Sequence, residues 1–239
     1  TVQWTYKMDE GPGSADGMHW FFRNSSTTGK YSTQMHVYQQ NGGLEFWYNS
    51  NAYAYSSVHD VYLMTNMTQG TTYKLALTYD GTNLRLYSNG VLKSTFAINI
   101  TVKPTDSVLQ MGSNLGRTID EFRIWNKALN VEHIRQMMNQ EIKDFDGVNV
   151  GGEVILTKIY GVDTNQDGVY VEEDLLFWAN LVGYYRMKEE CGYLKAYKGV
   201  SGRLRNIKLD QQESAPIPYT TATSVAPAPG GLWTNSSTW

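Results

Sequence analysis

The chain has 239 residues, a formal net charge of -3 (20 Lys+Arg against 23 Asp+Glu), 18% charged residues and 13% aromatics. That apolar and aromatic content is enough for a core and excludes a chain disordered throughout; the near-neutral balance, without a basic run, excludes a dedicated nucleic-acid binder. No apolar run reaches the roughly 18 residues of a membrane span, and the single cysteine, Cys191, excludes an internal disulfide framework or a cysteine-built zinc cluster. No signal peptide is present, and a start at Thr1 reads as a mature or excised fragment.

Short apolar alternations punctuated by Gly, Asn and Asp predict strands. Trp4, Tyr6 and Met8 alternate with Gln3, Thr5 and Lys7; Met18, Trp20 and Phe22 follow a Gly-Pro-Gly break at 11–13. Met35 and Val37 lead through Asn41-Gly42-Gly43 into Leu44, Phe46 and Tyr48, a hairpin by its turn chemistry. Residues 52–63, rich in Tyr and Val, read as a strand. Tyr73, Leu75, Leu77 and Tyr79 share one face of the next strand, and Asp80-Gly81-Thr82-Asn83 turns it into a strand with Leu84 and Leu86 inward, Arg85 and Tyr87 outward. Asn89-Gly90 turns the chain again into 91–96, and 108–112 and 119–125 add two strands. Strands at this spacing with turns between them suggest an all-β sandwich. One helix is expected from the cap Asn130 along Ile134, Met137 and Met138 up to Ile142, and a second from Glu172 to about Asn180. The end of the chain, 211–239, is rich in Pro, Ser and Thr and reads as a linker.

Three segments in this order, residues 73–95 (YKLALTYDGTNLRLYSNGVLKST), 108–112 (VLQMG) and 119–134 (IDEFRIWNKALNVEHI), resemble the laminin-G-like, concanavalin A-like jelly roll, including its pentraxin form. The pentraxin ligand signature is absent, so its ligand binding is not carried over. The resemblance implies an all-β jelly-roll sandwich with one or two short helices and a C-terminal extension. A second stretch, 181–187 (LVGYYRM) with 194–199 (LKAYKG), resembles the opening strands of the same domain type in large bacterial surface adhesins. The organisation expected is a sandwich over 1–145, a connector over 146–180, strands over 181–218 that either complete the first sandwich or begin another, and a tail over 219–239.

The sharpest chemical motif is Asp163-Thr164-Asn165-Gln166-Asp167-Gly168-Val169, closing at Asp174: D-x-N-x-D-G-x5-D. Calcium takes six to eight oxygens, and the side chains of Asp163, Asn165, Asp167 and Asp174 with the Val169 carbonyl fall at the spacing that converges on one cation, Gly168 allowing the sharp turn. The motif resembles a dockerin or EF-hand-type loop and implies Ca2+ as a structural ion. An Asp/Asn-rich surface turn without an ion is the bland alternative. For a calcium held by the sandwich itself, as jelly rolls of this family often carry, Asp9, Asp16, Asp80 and Asp120 are candidates by type. Asp120 is the best placed, its alternative being a buried carboxylate that caps backbone amides.

Retaining glycosidases of this shape need two carboxylates about 5–5.5 Å apart. The nearest pair, Asp120 and Glu121, is adjacent, and adjacent side chains on a strand point to opposite faces, so a non-enzymatic chain is expected. His19, His36, His59 and His133 have no local zinc spacing. Trp47, Tyr53 and Tyr55 are candidates for a sugar-stacking platform, since a flat apolar ring face matches a pyranose; Trp47 lies opposite the Leu44/Phe46/Tyr48 face. The expected function is a calcium-stabilised adhesion module on the outside of a bacterial cell, binding glycans or surface polymers beside flanking domains of a parent polypeptide. A carbohydrate-binding module of a secreted polysaccharide-degrading enzyme and a structural spacer are the alternatives.

Overall fold

The computed structural model describes residues 1–8, 19–25, 33–40, 42–49, 58–99, 108–111, 117–161, 175–188 and 193–203. Two antiparallel sheets form a sandwich. The six-stranded sheet runs in the order β13 (Leu181–Tyr185), β10 (Arg117–Trp125), β1 (Val2–Met8), β6 (Thr72–Tyr79), β7 (Asn83–Ser88), β8 (Val91–Ala97). The five-stranded sheet runs β5 (Val58–Met64), β4 (Gly43–Asn49), β3 (Thr33–Gln40), β2 (His19–Ser25), β9 (Val108–Met111).

Period-two alternation decides what faces inward. Trp4 and Tyr6 of β1, Leu75 and Leu77 of β6, Leu84 and Leu86 of β7, and Leu44, Phe46 and Tyr48 of β4 meet in one core between the sheets. The turns match their chemistry. Asn89 and Gly90 both adopt positive φ (51° and 71°), the two-residue hairpin geometry that follows the twist of the flanking strands. At the β6–β7 turn, Asp80 Oδ1 accepts from the Thr82 and Asn83 amides at 2.9 and 2.7 Å, and Oδ2 accepts from Arg85 at 2.5 Å.

The six-stranded sheet carries a second core on its outer face. Ala76, Tyr87 and Trp125 project there and meet Leu129, Ile134 and Met137 from the helix and its approach, with Ile142, Val150, Ile159, Leu176, Leu181 and Tyr184 from the chain that follows. Tyr87 thus points away from the first core, as alternation expects, and is buried all the same because this added layer covers its face. The helix, α1 (Val131–Met137), begins where Asn130 accepts from the His133 amide at 3.0 Å. It stops short of Ile142, which belongs to β11 (Ile142–Asp144), paired with β12 (Val150–Gly152).

The second helix expected up to Asn180 is reduced, among its described residues, to one 3-10 turn, Trp178–Asn180. Residues 175 and 176 are extended instead: Leu175 bridges Tyr160, Leu176 donates to the Ile159 carbonyl at 3.0 Å, and its own carbonyl accepts from Val150 at 2.8 Å. Burial of Leu176 in the second core holds that ladder against the local helical pattern. β13 then adds to β10 at the sheet edge. Its outer side is partly closed by residues 197 and 198, hydrogen-bonded to Tyr184, while β14 (Tyr193–Leu194) pairs with β15 (Gly202–Arg203).

Candidate functional site

The layout separates two places with chemistry: a buried ionic cluster under the second core, and the outer face of the five-stranded sheet. The buried cluster follows from a bulge. Gln3 of β1 faces Arg123 and Thr5 faces Asp120, so β10 carries an extra residue opposite Trp4. Glu121, at the bulge, has φ of 50°, a conformation uncommon outside glycine. Ile119 and Phe122 both pack into the first core, which leaves Asp120 and Glu121 together on the other face. The alternation expected of adjacent acids is thus overturned, and the extra residue is the physical reason.

Neither carboxylate is open to a substrate. Glu121 pairs with Arg123 and accepts from the Tyr184 hydroxyl at 2.6 Å; all three residues are buried. Arg123 also donates to the Met137 and Gln140 carbonyls at 2.9 and 2.7 Å, at the end of α1 where carbonyls lack helical partners, and its guanidinium lies 5.0 Å from the centre of the Tyr184 ring. Asp120 Oδ1 accepts from the Glu121 amide at 2.7 Å. Lys74, also buried, donates to Thr5 Oγ1 at 3.1 Å; burial pushes its ammonium down while the Asp120 carboxylate counters. Burial pushes the Tyr184 phenol up. These groups anchor the helix and the added layer to the sheet.

The other candidates divide clearly. Asp80 serves its turn, the Asn83 amide and the Arg85 guanidinium holding its carboxyl well below the usual range. His133 is buried at the helix. The loop ligands Asp163, Asn165, Asp167, Val169 and Asp174, the platform candidates Tyr53 and Tyr55, and Asp9 and Asp16 lie outside the described residues. Among the described residues, no group of three His, Cys, Asp or Glu is placed to hold a metal ion.

Trp47 is described. Leu44, Phe46 and Tyr48 point into the first core, so Glu45 and Trp47 belong to the outer face of β4. Strand register extends that face into two rows. One runs Asp60, Trp47, His36, Arg23, Gln110; the other runs Tyr62, Glu45, Tyr38, Trp20. The row between them carries Val61, Phe46 and Val37, which pack into the first core. Where side chains are described, Glu45 is buried, Trp47 is half-buried and Tyr62 is 65% exposed. Tyr62 was not among the residues singled out from sequence. The signal that finds it is its place between Val61 and Leu63, both packed into the core.

The model of the concanavalin A-like lectin/glucanases superfamily, laminin-G type, matches residues 2–135. The chain belongs to that family. Among solved structures, the carbohydrate-binding module CBM40 of the Ruminococcus gnavus IT-sialidase aligns at a TM-score of 0.42 and 14% identity, over 56% of this chain and 79% of that one. The receptor-binding domain of botulinum neurotoxin type G aligns at 0.45 and 11%, over 84% of this chain and 60% of that one. The binding domain of Paraclostridial mosquitocidal protein 1 aligns at 0.39 and 11%, over 57% of this chain; the alignment spans only 37% of that protein's own chain. Among curated proteins, none matches this chain.

Proposed function

We propose that this chain is a non-enzymatic extracellular module of a larger bacterial surface protein that binds glycans or related surface polymers through the outer face of its five-stranded sheet. The observation that supports this most is the contrast between the sheets. The outer face of the six-stranded sheet is covered over Ala76, Tyr87 and Trp125 by a second apolar core. On the five-stranded sheet, Trp47 and the exposed Tyr62 lie on the face turned away from the core, beside the carboxylate of Glu45. An aromatic ring beside polar groups suits a pyranose, whose flat C–H face stacks and whose hydroxyls need partners. Membership of a lectin and glucanase family is consistent with this, and the engagement of Asp120 and Glu121 in structural contacts favours binding over hydrolysis. Calcium on Asp163, Asn165, Asp167, Val169 and Asp174 would fix the connector before β13 without touching the sugar.

The test is a glycan array in millimolar calcium, repeated with chelator, using the wild type and Trp47→Ala. Binding that survives chelator and is lost in Trp47→Ala supports the proposal. Binding lost with chelator but indifferent to Trp47 moves the site to the loops. Silence throughout favours a spacer that positions flanking domains. The same face would serve a carbohydrate-binding module of a polysaccharide-degrading enzyme; a catalytic domain encoded beside this chain would favour that reading.

A further inference from the structure

We infer that the proposed binding face holds two successive sugar units, one on Trp47 and one on Tyr62, so that it selects chains over single sugars. The inference rests on reading this face as a glycan site. It starts from Tyr62. Val61 and Leu63 on either side pack into the first core, so Tyr62 must point the other way, and at 65% exposure it contributes little packing to the fold.

Its position relative to Trp47 is set by the ladder. Glu45 lies directly opposite Tyr62, and Trp47, two residues further along β4, lies opposite Asp60. Tyr62 and Trp47 are therefore diagonal neighbours on one face, a relation that places their β-carbons about 7–8 Å apart or slightly less. One pyranose stacks on one ring face; two platforms offset by that step suit consecutive rings of an extended chain. The line joining them runs obliquely across β4 and β5 towards the β5 edge of the sheet. Glu45, buried, completes the same patch opposite Tyr62. The Tyr62 hydroxyl adds a polar tip for a sugar hydroxyl.

The experiment is an array of β-linked glucosides, galactosides and N-acetylglucosaminides from one to four units, followed by calorimetry on the best series. The proteins are the wild type, Trp47→Ala, Tyr62→Ala and Tyr62→Phe, each with a thermal melt to confirm folding. Wild type should bind from two units upward and not to monosaccharides. Tyr62→Ala should weaken binding to the longer sugars by about tenfold or more, Tyr62→Phe should retain most of it, and Trp47→Ala should lose it. Equal affinity for one and several units, or a Tyr62→Ala protein that binds all lengths as the wild type does, overturns the two-unit site; if Trp47→Ala still loses binding, the glycan reading stands without it. A wild type that binds no sugar, or a Trp47→Ala protein that binds normally, overturns both.

Discussion

Replacing Arg123 with Met tests the claim that a buried ion pair fastens the added layer to the sandwich. The change keeps the apolar length of the side chain and removes the charge that pairs with Glu121, together with the donors to the Met137 and Gln140 carbonyls. Glu121 is then left as a buried carboxylate beside the Tyr184 ring, its hydroxyl the remaining donor. Removing one partner of a buried pair costs about 3–5 kcal/mol, because the other charge stays desolvated. In a domain of this size that lowers the melting temperature by roughly 10 °C. Glu121→Gln should destabilise for the converse reason, leaving a buried guanidinium. The double variant should cost less than the two singles together, with a coupling of roughly 1–3 kcal/mol, since no isolated charge remains. Urea denaturation followed by tryptophan fluorescence gives all three values. Single variants within about 1 kcal/mol of wild type, or strictly additive losses, would refute the reasoning.

A fragment of residues 1–145 should fail to unfold cooperatively and should bind a hydrophobic dye. It lacks Val150, Ile159, Leu176, Leu181 and Tyr184, whose burial contributes up to roughly 10 kcal/mol, comparable with the whole stability of a domain; a sharp melt close to that of the full chain would contradict this. Chelation should lower the melting temperature of the full chain, because an ion that binds the folded state stabilises it by mass action, and Asp163→Ala with Asp167→Ala should abolish that response. An unchanged wild-type melt would mean that the loop binds no ion.

The first core was legible because its strands obey period two: Trp4, Tyr6, Leu75, Leu77, Leu84 and Leu86 are inward as alternation requires, and Asn89-Gly90 forms the turn its chemistry demands. Two features trace to the second core, which a strand-by-strand reading does not contain. Tyr87 is buried because α1 and the following chain lie over it, and residues 175 and 176 are extended because Leu176 packs there. The bulge at Glu121 was hidden for another reason. An acid at positive φ has no local signature, and only the pairing of β1 with β10 exposes the extra residue. For the candidate site, alternation placed Trp47 on the outer face, but Tyr62 emerged only once β5 was in register with β4. The calcium spacing at 163–174 is a sequence argument and lies outside the described residues.

The most direct measurement is amide chemical-shift mapping of the isotope-labelled chain, titrated with the tightest sugar from the array. Shifts confined to β4, β5 and β3, including the amides of Trp47 and Tyr62, are the expected result. Shifts clustered at the loop of residues 163–174 or over the second core, with β4 and β5 silent, would contradict a binding face on the five-stranded sheet.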